Sequence, residues 1–106
     1  MKVFHHFIGG IYTKECHLQA GVTFLQHSHR FDHQSILASG TAVVEVEGVP
    51  TTYTGPVVLN IEAHRNHSVC AVTSCVWLCQ HVTSCTDPDE IDAVTVEDAH
   101  LHVKEA

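Results

Sequence analysis

From Phe7 to Val82, Val, Ile, Thr and aromatic residues come in short runs broken by Gly, Pro, Asn or Ser. The breaks recur roughly every eight to twelve residues, the spacing of an all-β chain with many turns. Strands are expected over residues 10–18, 23–27, 34–39, 41–46, 49–54, 57–61, 67–72 and 76–83. Val44 and Val46 alternate with Glu45 and Glu47, so that strand should keep one wet face. Glu47-Gly48 reads as a hairpin turn. One helix start stands out. Asp87 suits an N-cap, Pro88 the first helical position and Glu90 the third, which predicts a short helix ending near Ala93. The remaining tail, 94–106, is expected to add an edge strand or to fray.

The length of 106 residues fits a single domain, with a core over about 8–83 and a C-terminal helix and tail over 87–106. At 44% apolar and 16% charged residues, the composition is globular. A formal charge of −7 with only five scattered Lys and Arg excludes a nucleic-acid partner, since phosphate binding needs clustered cations. No apolar run is long enough for a membrane span. The five cysteines, Cys16, Cys70, Cys75, Cys79 and Cys85, are odd in number and never spaced C-x-x-C. With no signal peptide legible, they predict free thiols in a reducing cytoplasm rather than disulfides or a thiolate zinc knuckle.

Eleven histidines are the chemical signal. His27 and His29 lie two apart on an expected strand, so both imidazoles point to one face. His33 follows a polar break, Arg30-Phe31-Asp32, and can return to the same point from the next strand. Neutral imidazole is the commonest metal ligand. His81 lies on a late strand and is a candidate acid or base standing behind the ligands. Tyr12 and Glu15, on the first expected strand, could line a pocket.

Gly21, His27, His29, His33 and Gly40 resemble the first cupin motif, G-(x)5-H-x-H-(x)3,4-E-(x)6-G, with His33 where that motif carries Glu. The run Gly55-Pro56-Val57-Val58-Leu59-Asn60-Ile61-Glu62-Ala63 resembles the opening of the second, G-(x)5-P-x-G-x-x-H-(x)3-N. Its Pro and Gly are replaced by Ile61 and Ala63, and its His position holds Asn66. His67, one residue later and at the start of a β-rich run, is the expected fourth ligand, with His64 as the alternative. The resemblance implies a double-stranded β-helix, the jelly-roll cupin barrel, with one divalent metal in its mouth and frequent homodimers.

Four neutral His ligands leave a divalent ion at +2, where a carboxylate would lower it to +1. That favours Fe, Mn, Zn, Ni or Cu and an anionic small-molecule ligand. Two functions follow. One is a metal-dependent enzyme, dioxygenase-like or an isomerase or lyase, acting on a small organic molecule through His27, His29, His33 and His67. The other is a non-catalytic module that binds a metabolite or metal. A symmetric dimer is expected, with strands 11–18 and 76–78 across the two-fold axis and Trp77 as its aromatic anchor.

Overall fold

The structure is a computed structural model that describes residues 1–26 and 28–91. Nine strands run in chain order: β1 Lys2–Ile8, β2 Ile11–Leu18, β3 Thr23–Gln26, β4 His33–Ser39, β5 Thr41–Val46, β6 Val49–Thr54, β7 Val57–Ile61, β8 His67–Ala71 and β9 Cys75–Val82. They form two antiparallel sheets, one of order β1-β2-β9-β4-β7 and the other β3-β8-β5-β6. The apolar faces of the two sheets meet in a jelly roll.

Eight of these strands fall where the hydrophobic runs place them, within a residue or two at each end. The first strand, β1, was not expected. Its sequence presents Val3 and Phe7 on one face and Phe4 and Ile8 on the other, so it lacks the clean alternation that marks a half-buried strand. It forms because β2 offers a full antiparallel edge, from Lys2 opposite His17 to Ile8 opposite Ile11. The Glu47-Gly48 turn is confirmed, with both residues at positive φ, 47° and 82°, as a type I′ hairpin requires.

The short C-terminal helix is not seen among the described residues. Residues 87–90 make a turn instead, in which Asp89 N–H donates to Asp87 Oδ1 at 2.8 Å and Glu90 N–H to the Asp87 carbonyl at 3.1 Å. The expected end at Ala93 and the tail beyond it lie outside the described residues. Ile91, which follows the turn, is buried.

The inner face of the five-stranded sheet is layered. One rung carries Tyr12, His81, His33 and Ile61 on adjacent strands. The next carries Lys14, Cys79, Ser35 and Leu59, and the third Cys16, Trp77, Leu37 and Val57. Polarity falls along this series. The third rung meets Phe24, Ala42, Val44, Val69 and Ala71 of the other sheet in the hydrophobic core. Trp77 is completely buried there, and its Nε1–H donates to Cys79 Sγ at 3.1 Å. It fills the barrel and is therefore not the exposed anchor of a dimer.

Two glycines hold the layers together. Gly40 has φ +86°, and a Cβ there would lie 2.3 Å from the Ser74 carbonyl oxygen. Gly55 N–H donates to the Gly40 carbonyl at 2.8 Å, and a Cβ on Gly55 would meet the Leu37 carbonyl oxygen at 2.6 Å. Neither position has room for a side chain.

Candidate metal centre

The polar end of the barrel is built from neighbouring strands and two loops. His33 opens β4 and His81 lies near the end of β9, both on the inward face of sheet neighbours. His29 sits in the loop before β4, and its carbonyl accepts from His64 N–H at 2.9 Å. Asp32 Oδ1 accepts from Ala63 N–H at 2.7 Å, a second tie between the same two loops. These bonds fix where His29 and His33 stand relative to β8, which begins at His67.

His29, His33 and His81 each offer a ring nitrogen, and these atoms all lie within 4.8 Å of one another. Ring centroids are 4.3 Å apart for His33 and His81, 4.5 Å for His29 and His33, and 4.8 Å for His29 and His81. His67 stands one step back, 6.0 Å from His29 and 6.1 Å from His33. Its Nδ1–H reaches the Arg65 carbonyl at 3.3 Å, which presents Nε2 as the acceptor nitrogen. His27 lies outside the described residues. His64 is exposed on the turn with φ +64°.

Burial keeps His33, His67 and His81 neutral. Burial pushes His33 down to about 2, with His81, His29 and His67 adding to the effect and the Phe31 backbone weakly opposing it. Burial alone pushes His81 down to about 4, and it lowers His67 as well. A neutral imidazole has a lone pair to give. Both ring nitrogens of His33 are buried with no hydrogen-bond partner. Buried polar groups are almost always paired, so an orphaned ring inside a cluster of three is a site for a cation. The residues present therefore fit a divalent ion, and all-nitrogen ligation suits Zn, Cu, Fe or Ni.

His81 belongs to the inner group rather than behind it. The signal was in the sequence: Cys75, Trp77, Cys79 and His81 are spaced two apart, so the histidine ends an inward stripe. Tyr12 is buried beside His81, with ring centroids 6.4 Å apart and nearly parallel, and its hydroxyl is hydrogen-bonded to His5 Nδ1 at 2.7 Å. Glu15 points to the outer face and bonds His6 and His17, so it does not line the site. A cleft of about 490 Å³ reaches His33 and His81 between Ile11, Phe31, Asp32, Gln34, Gln80 and Val82.

Solved structures share this architecture. A cupin superfamily protein from Desulfitobacterium hafniense aligns over 78% of this chain and 79% of its own, with a TM-score of 0.66 and 14% identity. The chain has a cupin fold. The salicylate 1,2-dioxygenase of Pseudoaminobacter salicylatoxidans aligns over 76% of this chain but only 24% of its own, at TM-score 0.67 and 12% identity. The Cnp3 cupin domain of Schizosaccharomyces pombe matches over 78% and 64%, at TM-score 0.65 and 14% identity. No protein-family model and no curated protein sequence matches the chain. At these identities the cupin likeness is one of fold, and the chemistry has to be argued from the site.

Proposed function

We propose that this cupin binds one divalent transition metal through His29, His33 and His81, with His67 and His27 completing the set, and acts as a metal-dependent enzyme on a small organic molecule. The observation that carries this reading is His33, a buried ring with two unpartnered nitrogens between two other imidazoles. A bound ion would supply Lewis acidity toward a substrate oxygen. The protein's own residues supply the rest. The cleft beside His33 and His81 admits a small molecule, and Ile11, Phe31 and Val82 give it apolar walls. Tyr12, buried beside His81 and hydrogen-bonded to His5, is the protonatable group that acid–base chemistry would need.

An oxidoreductase of dioxygenase type is the favoured class, and the fold likeness to a salicylate dioxygenase supports it. The alternative is a non-catalytic module that holds a metabolite or metal. The five thiols are free, which suits a reducing cytoplasm. Among the described residues no helix is long and apolar enough to cross a membrane. The outer face of the five-stranded sheet also exposes Phe4, Ile8 and Val58, and a second copy of the chain is the proposed cover for these three.

Elemental analysis of untagged protein tests the metal. One ion per chain is expected. His33→Ala should lose it, His67→Ala should weaken it and His64→Ala should keep it. Full occupancy in a His33→Ala/His81→Ala double variant refutes the site.

A further inference from the structure

A second cavity, of about 500 Å³, opens at the end of the barrel away from the histidines. Leu18 at the end of β2, Cys75 and Val76 at the start of β9, and Phe4 and His17 form its walls. Along β9, Cys75 and His81 are roughly 20 Å apart at about 3.3 Å per residue, so the cavity is separate from the metal centre. Its volume falls within the roughly 300–1,000 Å³ of small-molecule pockets.

Strand pairing builds these walls. His17 stands opposite Lys2 on one side and Val76 on the other. Its ring lies nearly perpendicular to Phe4, with centroids 5.7 Å apart, and its Nε2 is hydrogen-bonded to Glu15 Oε2 at 2.5 Å, which holds it in place. Leu18 and Cys75 are buried and give the cavity an apolar base.

The charge here is one-sided. Lys2 lines the cavity and no Asp or Glu does. Among the described residues the Lys2 ammonium is in no ion pair. In a chain of net charge −7, a cavity with a lysine and no acid favours anions over cations. A lysine can lay its stem along apolar surface and keep its charge at the rim. An apolar base under one rim cation fits a ligand with a hydrocarbon body and an anionic end.

We propose that this cavity binds a free amphiphilic carboxylate of medium chain length, with its hydrocarbon against Phe4, Leu18 and Val76 and its carboxylate at Lys2. The site is additional to the metal centre, and neither depends on the other.

The test uses octanoate, octylammonium and acetate as probes on chelator-treated protein, followed by calorimetry and by backbone amide NMR shifts. Octanoate should bind roughly tenfold tighter than octylammonium, since the same rim attracts one and repels the other. Acetate, which lacks the hydrocarbon body, should bind far more weakly than octanoate. The octanoate-induced shifts should gather at Phe4, Leu18 and Val76 and leave His33 and His81 unmoved. Lys2→Met keeps an apolar stem and should cost several-fold in octanoate affinity. Ser39→Trp, at an exposed position of the cavity wall, should block binding. Mass is followed by light scattering through the titration, because Phe4 also borders the face proposed for a second copy. Equal affinity for octanoate and octylammonium, no octanoate binding at about 10 mM, shifts centred on His33 and His81, or undiminished octanoate affinity in Lys2→Met overturns the site.

Discussion

Acid should unfold the metal-free protein through two identifiable rings. An unfolded histidine titrates near 6.5, whereas burial holds His81 at about 4 and His33 at about 2. The unfolded chain therefore binds more protons below pH 6.5, and stability rises with pH. The contribution is complete above the unfolded value and is lost as pH falls toward the folded values. Between pH 7 and pH 5, each ring loses about 2 kcal/mol by this linkage, or about 4 kcal/mol together. Both are almost fully buried, 5% and 6% exposed, so solvent screening takes little away. Buried His67 shifts in the same direction. A loss of about 4 kcal/mol is a large part of a domain's stability and lowers a melting temperature by roughly 15–30 °C. Urea midpoints of chelator-treated protein at pH 7 and pH 5 read the effect. The same measurement on His33→Leu/His81→Leu removes both rings and should flatten the dependence by about that amount. A wild-type loss under about 1 kcal/mol, or an equal loss in the double variant, would refute the burial argument.

Gly40→Ala should destabilise the fold by more than about 2 kcal/mol, because positive φ and a backbone oxygen 2.3 Å from the new carbon add together. A urea midpoint within error of wild type would show that the β4–β5 corner can shift. Light scattering at micromolar concentration checks the proposed dimer; a mass near the single-chain 11.7 kDa ends it, and a doubled mass should fall on Phe4→Lys/Ile8→Lys substitution.

Most of the barrel was legible because one face of each strand had to be apolar. The hydrophobic runs placed β2 through β9, and turn chemistry placed the Glu47-Gly48 hairpin. β1 escaped because both its faces carry apolar residues, a pattern that only the waiting edge of β2 resolves. Trp77 was assigned outward because an aromatic strand can serve a core or an interface equally well, and sequence alone does not say which face another sheet covers. At the site, His29 and His33 followed from the motif spacing, whereas the parity argued for His27 and His29 does not apply to His29, which stands in the loop before β4. His81 lies about fifty positions away in the chain, and its approach depends on β4 pairing with β9, a long-range contact that no local pattern encodes.

The rungs of the five-stranded sheet separate two kinds of constraint on this chain. Trp77, Leu37 and Cys16 answer to packing, where a change of one methylene is felt. His33 and His81 lie two rungs away and support almost none of that packing. Substitutions in the histidine rung can thus redraw the chemistry while the core beneath keeps its shape. Conversely, a single-residue slip of β9 against β4 would turn His81 out to solvent and bring a glutamine inward, erasing the centre without removing one ligand from the sequence. The proposed metal centre is therefore written in register as much as in residue identity.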